Sequence, residues 1–120
     1  TPLYSSAASD VYKRQIEGQS RGEHYAATKG GVIAMIRAIA AEHARHGIRA
    51  NAILPGWIET AMTEGFLGWE PMQKKVFPRI PIRRWGAGRD FGGLAVYLAS
   101  DASSYHTGDT LVVDGGYSIF

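Results

Sequence analysis

Apolar residues recur every three or four positions from Tyr25 to His46, and this rhythm predicts an amphipathic helix. Gly47 follows the last periodic residue and is expected to stop the helix in a left-handed conformation. The helix should bury one stripe, which Ile33 widens. Ile33 and the apolar tail residues Tyr117, Ile119 and Phe120 are expected to be left over for a partner surface. The residues of the predicted stripe are Val32, Met35, Ile36, Ile39 and Ala40.

Two short apolar segments predict strands, Ile48–Leu54 before Pro55-Gly56 and Thr110–Val113 before a turn at Asp114-Gly115-Gly116. A second helix is expected from about Arg89 to Ser100. Its apolar stripe would be Phe91, Leu94, Ala95 and Leu98. The order helix, strand, long loop, helix, strand predicts an α/β protein with a parallel sheet.

The loop between the two halves of this pattern, residues 57–81, is long and rich in large apolar side chains. In open α/β sheets, ligands bind just outside the carboxyl ends of the strands. Because the loop starts at such an end, we expect its part from Ala61 to Phe77 to be a substrate lid. A short helical insertion that covers the core is the alternative, and the two are compatible.

Two strands and two helices do not close a doubly wound domain. We therefore expect residues 16–120 to be the C-terminal half of a Rossmann-like doubly wound parallel sheet. Residues 1–15 are polar and show no sustained period, and we expect them to be a non-native or disordered segment.

Composition narrows the classes of function. Of the 120 residues, 45% are apolar and 20% charged, as in a soluble globular protein. A net charge of +2 with scattered Lys and Arg argues against nucleic acid or an anionic membrane as partner. No apolar run is long enough to predict a membrane-spanning helix, and without cysteine no disulfide or thiolate metal site is possible. A cytoplasmic location fits, and the four histidines show no metal-ligand spacing.

Tyr25 and Lys29 stand four residues apart, which places both side chains on one face of a helix. A neighbouring ammonium favours the phenolate and lowers the pKa of a tyrosine. Such a tyrosine can exchange a proton with a substrate oxygen. By itself, the pair is also compatible with an ordinary helix surface.

Three stretches together point to a family. YAATKGG at 25–31, NAILPGWIET at 51–60 and SSYHTGDTLVVDGG at 103–116 resemble, in order and spacing, three signatures of the short-chain dehydrogenase/reductase family. The resemblance covers residues 16–120. It implies a Rossmann-like oxidoreductase that transfers a hydride between NAD or NADP and a small-molecule carbonyl or alcohol, usually as a homotetramer.

The resemblance also implies roles for individual residues. Tyr25 would be the general acid or base, and Lys29 would lower its pKa and bind the nicotinamide ribose. Pro55 and Gly56 would form the turn beside the nicotinamide, and the backbone of Ile58 would meet the carboxamide. The Thr60 hydroxyl would contact the carboxamide or the pyrophosphate; it is equally a candidate helix cap. Asn51 and the turn at residues 114–116 would be structural.

Several family features have no counterpart in these 120 residues: the glycine-rich phosphate loop, the residue that selects NAD or NADP, and the catalytic asparagine. The catalytic serine is expected about thirteen residues before Tyr25, where Tyr12 stands. We therefore expect a truncation near Ile16, and a non-catalytic fragment without the dinucleotide-binding half is the alternative function. The epimerase branch fits the later motifs less well, and the enoyl reductase branch spaces its tyrosine and lysine more widely.

Overall fold

The computed structural model describes residues 23–119 of the chain. Helix α1 runs from Glu23–His43 and tightens into a 3-10 turn at Ala44–His46. Gly47 then adopts φ 76°, and its N–H donates to the Ala44 carbonyl at 3.0 Å. The predicted left-handed stop is confirmed. Glycine suits this position because a residue without a Cβ takes this conformation at little cost.

Strands β1 (Ala52–Pro55) and β2 (Thr110–Val113) pair in parallel, with Ala52 opposite Thr110 and Pro55 opposite Val113. The predicted parallel sheet is confirmed, and β2 has the predicted bounds. The predicted start of the first strand at Ile48 is wrong. Residues just before β1 face a turn rather than a strand: the Ala50 carbonyl accepts the Gly108 N–H at 2.8 Å.

The second helix begins later than predicted. Gly88–Phe91 forms a 3-10 turn, and α4 follows as Gly92–Ala99. The Asp90 carboxylate accepts the Ala87 N–H at 2.7 Å and closes this first turn tightly. Further 3-10 turns lie at Asp101–Ser103 and Tyr117–Ile119.

The long loop folds into α2 (Glu64–Leu67), α3 (Glu70–Lys75) and a 3-10 turn at Phe77–Arg79. It packs back onto the sheet and supplies four of the six buried residues of the hydrophobic core. That core consists of Leu54, Leu67, Met72, Val76, Ile80 and Tyr117. The loop is thus an insertion that covers the core, and a role as a lid remains a prediction.

Two expectations about exposed side chains are wrong. Within α1, Val32 and Met35 are 42% and 52% exposed, whereas Ile33 packs against the core. Tyr117, expected to be free for a partner, is 1% exposed because it packs in the hydrophobic core, with the Arg79 guanidinium over its ring. Ile119 is exposed, and Phe120 lies outside the described residues.

None of the helices within residues 23–119 is long and apolar enough to cross a bilayer. In the same part of the chain, no three His, Asp or Glu side chains are grouped to hold a metal ion.

Candidate active site at the carboxyl ends of the strands

The carboxyl ends of β1 and β2 are held in direct backbone contact. The Gly56 N–H donates to the Val113 carbonyl at 2.9 Å. A Cβ added to Gly56 would lie 2.6 Å from Cβ and 2.7 Å from Cα of Asp114. Only glycine therefore fits at the start of the loop that leaves β1, and the predicted Pro55-Gly56 turn lies at this sheet edge.

Asp114 makes the opposite wall of this edge rigid. One of its carboxylate oxygens accepts the Gly116 N–H and the other accepts the Ser118 N–H, both at 2.9 Å. Gly115 and Gly116 both have positive φ, at 66° and 89°. The structural role predicted for the turn at residues 114–116 agrees with this geometry.

Ile58 lies on the loop in a parallel bridge to Gly86. Glu59 donates its N–H to the Gly86 carbonyl at 2.7 Å, and the Gly86 N–H donates to the Trp57 carbonyl at 2.8 Å. Ile58 itself is only 8% exposed, and its N–H donates to no acceptor among residues 23–119. Because N–H groups of buried residues are rarely left unpaired, this donor is a candidate contact for a ligand.

Thr60 and Thr63 form a reciprocal pair just beyond. The Thr63 N–H donates to the Thr60 Oγ1 at 3.2 Å, so Thr60 caps the turn at residues 60–63. The N-cap of α2 itself is Thr63, whose side chain makes no capping hydrogen bond to the helix. In return, the Thr60 N–H donates to the Thr63 Oγ1 at 2.7 Å. Our sequence analysis missed Thr63. The signal was present, since a hydroxyl residue three positions after a cap resembles a capping box.

Tyr25 and Lys29 lie at positions i and i+4 of α1, as predicted, but their side chains are outside the described part of the structure. The other end of α1 is anchored at Ala40, which faces Gly108 just before β2. Tyr25 precedes Ala40 by fifteen residues, or about 22 Å along a helix. The role of Tyr25 and Lys29 at the carboxyl end of the sheet stays a prediction.

Arg84 and Asp90 form a second feature that our sequence analysis missed. Their two hydrogen bonds measure 2.8 and 2.7 Å, and the Arg84 guanidinium and the Ala87 N–H hold the pKa of the Asp90 carboxyl well below its usual range. The pair lines a cavity of about 150 Å³ that also touches Ile58. Ligand pockets usually exceed about 300 Å³, so this space is too small for a dinucleotide.

Comparisons with known proteins identify the family to which the chain belongs. A family model described as "Enoyl-(Acyl carrier protein) reductase" matches residues 7–118. The chain belongs to the short-chain dehydrogenase/reductase family. The 2-dehydro-3-deoxy-D-gluconate 5-dehydrogenase of Dickeya dadantii is 42% identical over 101 residues, which are 84% of this chain and 40% of that protein. The 3-oxoacyl-[acyl-carrier-protein] reductase of Thermotoga maritima is 42% identical over 104 residues, 87% of this chain and 42% of that protein.

A solved structure of this family has the same fold. The gluconate 5-dehydrogenase of Burkholderia cenocepacia, in complex with NADP and tartrate, aligns with a TM-score of 0.73 at 38% identity. The alignment covers 80% of this chain and 38% of that one. The chain thus spans about two fifths of the length of the short-chain dehydrogenases/reductases named here.

Proposed function

We propose that this chain is the part of an NAD(P)-dependent oxidoreductase that holds the proton donor and the nicotinamide end of the cofactor. The observation that carries the proposal is the unpaired N–H of the buried residue Ile58, just beyond the carboxyl end of a strand in a parallel sheet. Ligands of doubly wound proteins bind at this edge. The complex of the Burkholderia relative with NADP supports the choice of cofactor.

The residues at this edge fit the nicotinamide end of the cofactor. Because Gly56 has no side chain, the Pro55-Gly56 turn fits directly against Asp114 and starts the loop at the sheet edge where the nicotinamide would lie. The Ile58 N–H would donate to the carboxamide oxygen, and Thr60 would add a hydroxyl contact. Lys29 would bind the ribose. When bound, the cofactor supplies or accepts the hydride.

Tyr25 would carry the proton that accompanies hydride transfer. In reduction its O–H donates to the forming alkoxide, and in oxidation the phenolate accepts the alcohol proton. Lys29, one helical turn later on the same face, would favour the phenolate by its charge.

The substrate would be a small-molecule carbonyl or alcohol. The relatives are named for reactions on a sugar acid and on 3-oxoacyl groups, so the reaction class is shared while the substrates differ. The loop from Ala61 to Phe77 would act as the lid, because it follows directly on the proposed cofactor turn. Phe66 and Trp69 on it are 48% and 58% exposed, which leaves apolar surface available.

We also propose that the full-length protein is a cytoplasmic homo-oligomer, with no nucleic acid or membrane as partner. The exposed apolar side chains of Val32 and Met35 on α1, and of Ile119 near the C-terminal end, would find cover between subunits.

The test is a Tyr25→Phe substitution in a full-length protein that carries this sequence. Turnover of a secondary alcohol with NAD or NADP should fall by about a hundredfold or more, because the phenol O–H is the proton carrier. The dissociation constant of the cofactor should stay within about twofold.

Tyr105→Phe is the matched control, since the Tyr105 side chain is fully exposed and its loss should leave turnover unchanged. A Tyr25→Phe protein that keeps more than about a tenth of the rate would refute the assignment. A full-length wild-type protein that binds neither cofactor would refute the proposed function.

A further inference from the structure

The Thr63 hydroxyl is at the centre of the loop that follows β1. Its oxygen lies 2.7 Å from the Ile58 carbonyl, 2.7 Å from the Thr60 nitrogen and 3.1 Å from the Thr60 Oγ1. A hydroxyl offers one donor and two acceptor positions, and these three contacts use all of them. Thr63 therefore joins the two residues that the proposed cofactor site places against the nicotinamide carboxamide.

The donor directions follow from this inventory. The only proton of Thr63 goes to the Ile58 carbonyl, which is much closer than the alternative Thr60 carbonyl at 3.4 Å. The short contact between the two hydroxyl oxygens must then be made by the Thr60 O–H donating to Thr63. Thr60 also accepts the Thr63 N–H, so its hydroxyl presents a lone pair, and no proton, to a ligand.

Ile58 is oriented by the same contact. Its carbonyl is held by Thr63, while the flanking peptides are held by Gly86. The unpaired N–H of Ile58 is thereby kept in one direction. The loop offers a ligand one donor from Ile58 and one acceptor from Thr60.

We propose that Thr63 is a positioning residue that fixes this donor and acceptor pair for a primary carboxamide. The inference rests on the proposed function and extends it. It chooses the nicotinamide carboxamide, and not the pyrophosphate, as the group that the Thr60 hydroxyl contacts. A carboxamide has an oxygen that accepts and an NH₂ that donates, and it matches both loop groups. A pyrophosphate only accepts hydrogen bonds. The Thr60 hydroxyl, which already donates its proton to Thr63, therefore has no proton left for it.

The experiment compares ligands that keep or lose the carboxamide, measured by calorimetry on a full-length protein. The probes are NAD or NADP, whichever binds, and the corresponding ADP-ribose without the nicotinamide. Thr63→Val should weaken the dinucleotide by about three- to tenfold, the effect of one or two neutral hydrogen bonds. Its affinity for ADP-ribose should stay within about twofold.

Two matched variants separate positioning from general damage. Thr63→Ser keeps the hydroxyl and should restore the affinity for the dinucleotide. Thr110→Val removes a threonine hydroxyl that is buried without a hydrogen-bond partner among residues 23–119, and it should leave both affinities unchanged.

A further comparison needs no variant. On the wild type, the 3-acetylpyridine analogue of the dinucleotide, which has a methyl group in place of the NH₂, should bind about three- to tenfold more weakly. Equal affinity for the two would overturn the acceptor role of Thr60. If Thr63→Val weakens the binding of dinucleotide and ADP-ribose equally, or weakens neither, Thr63 is not a positioning residue. The proposed function would be unaffected by that result. A wild type that binds neither ligand would overturn the proposed function and this inference with it.

Discussion

Replacing Gly56 by alanine tests whether the two strand ends need direct backbone contact. The added methyl would lie 2.6 and 2.7 Å from Cβ and Cα of Asp114, and 3.2 Å from its carbonyl oxygen. Carbon atoms in contact normally stay ~3.5–4.0 Å apart, so the strand ends would have to separate by about 1 Å. No side-chain rotation relieves this clash, because Cα and Cβ move only with the backbone.

The cost has two parts. Forcing an extra methyl into a packed site costs ~1–3 kcal/mol. Separating the strand ends also stretches the Gly56 hydrogen bond to Val113, now 2.9 Å long, which adds ~0.5–1.5 kcal/mol. Together the free energy of unfolding should fall by roughly 2–4 kcal/mol, or about 5–15 °C in melting temperature for a domain of ordinary size.

The assay is a thermal melt of the full-length Gly56→Ala protein, followed by titration with NAD or NADP. Cofactor affinity should fall as well, since the loop that starts at Gly56 carries Ile58 and Thr60. Gly65→Ala is the control: nothing lies within 4 Å of its added Cβ, and alanine within α2 should be neutral or slightly stabilising. If both variants melt at the same temperature, the contact between Gly56 and Asp114 does not constrain the site.

Three further predictions follow from particular contacts. Asp90→Asn should destabilise the protein at pH 7, and the difference should begin to shrink as the pH falls below about 4. A carboxyl whose pKa is lowered by folding stabilises above its unfolded pKa and loses that contribution progressively as the pH falls toward its folded pKa. Melts of both proteins between pH 7 and pH 3 check this, and a constant difference would contradict it. Thr110→Val should raise the free energy of unfolding by about 1 kcal/mol in urea titrations, because the hydroxyl it removes is buried and has no partner among residues 23–119. The 120-residue polypeptide alone should show no cooperative melt, since exposed groups such as Val32 and Met35 each forfeit ~1.5–3 kcal/mol out of a total of about 5–15 kcal/mol. A sharp transition that NAD or NADP moves upward would show that it folds and binds.

The sequence by itself was sufficient for the elements and their order. The existence of helix α1, its stop at Gly47 and the β2 segment were predicted correctly because each depends on neighbours along the chain. The same holds for the parallel pairing, which follows from the alternation of helix and strand. The position of the loop after Pro55 was likewise predicted correctly, and its role in ligand binding stays a prediction.

Only the tertiary structure decided which apolar side chains are buried and which polar groups meet. The periodicity of α1 could not show that Val32 would be exposed and Ile33 covered, because that depends on the width of the surface opposite. The burial of Tyr117 depends on Arg79, which is 38 residues away in the sequence. The N–H of Ile58 is left unpaired because the neighbouring peptides bond to Gly86 and its own carbonyl accepts from Thr63, and these contacts exist only in the folded protein. A hydrogen bond between distant residues leaves no period in the sequence, so the chemistry of this loop is a property of the fold.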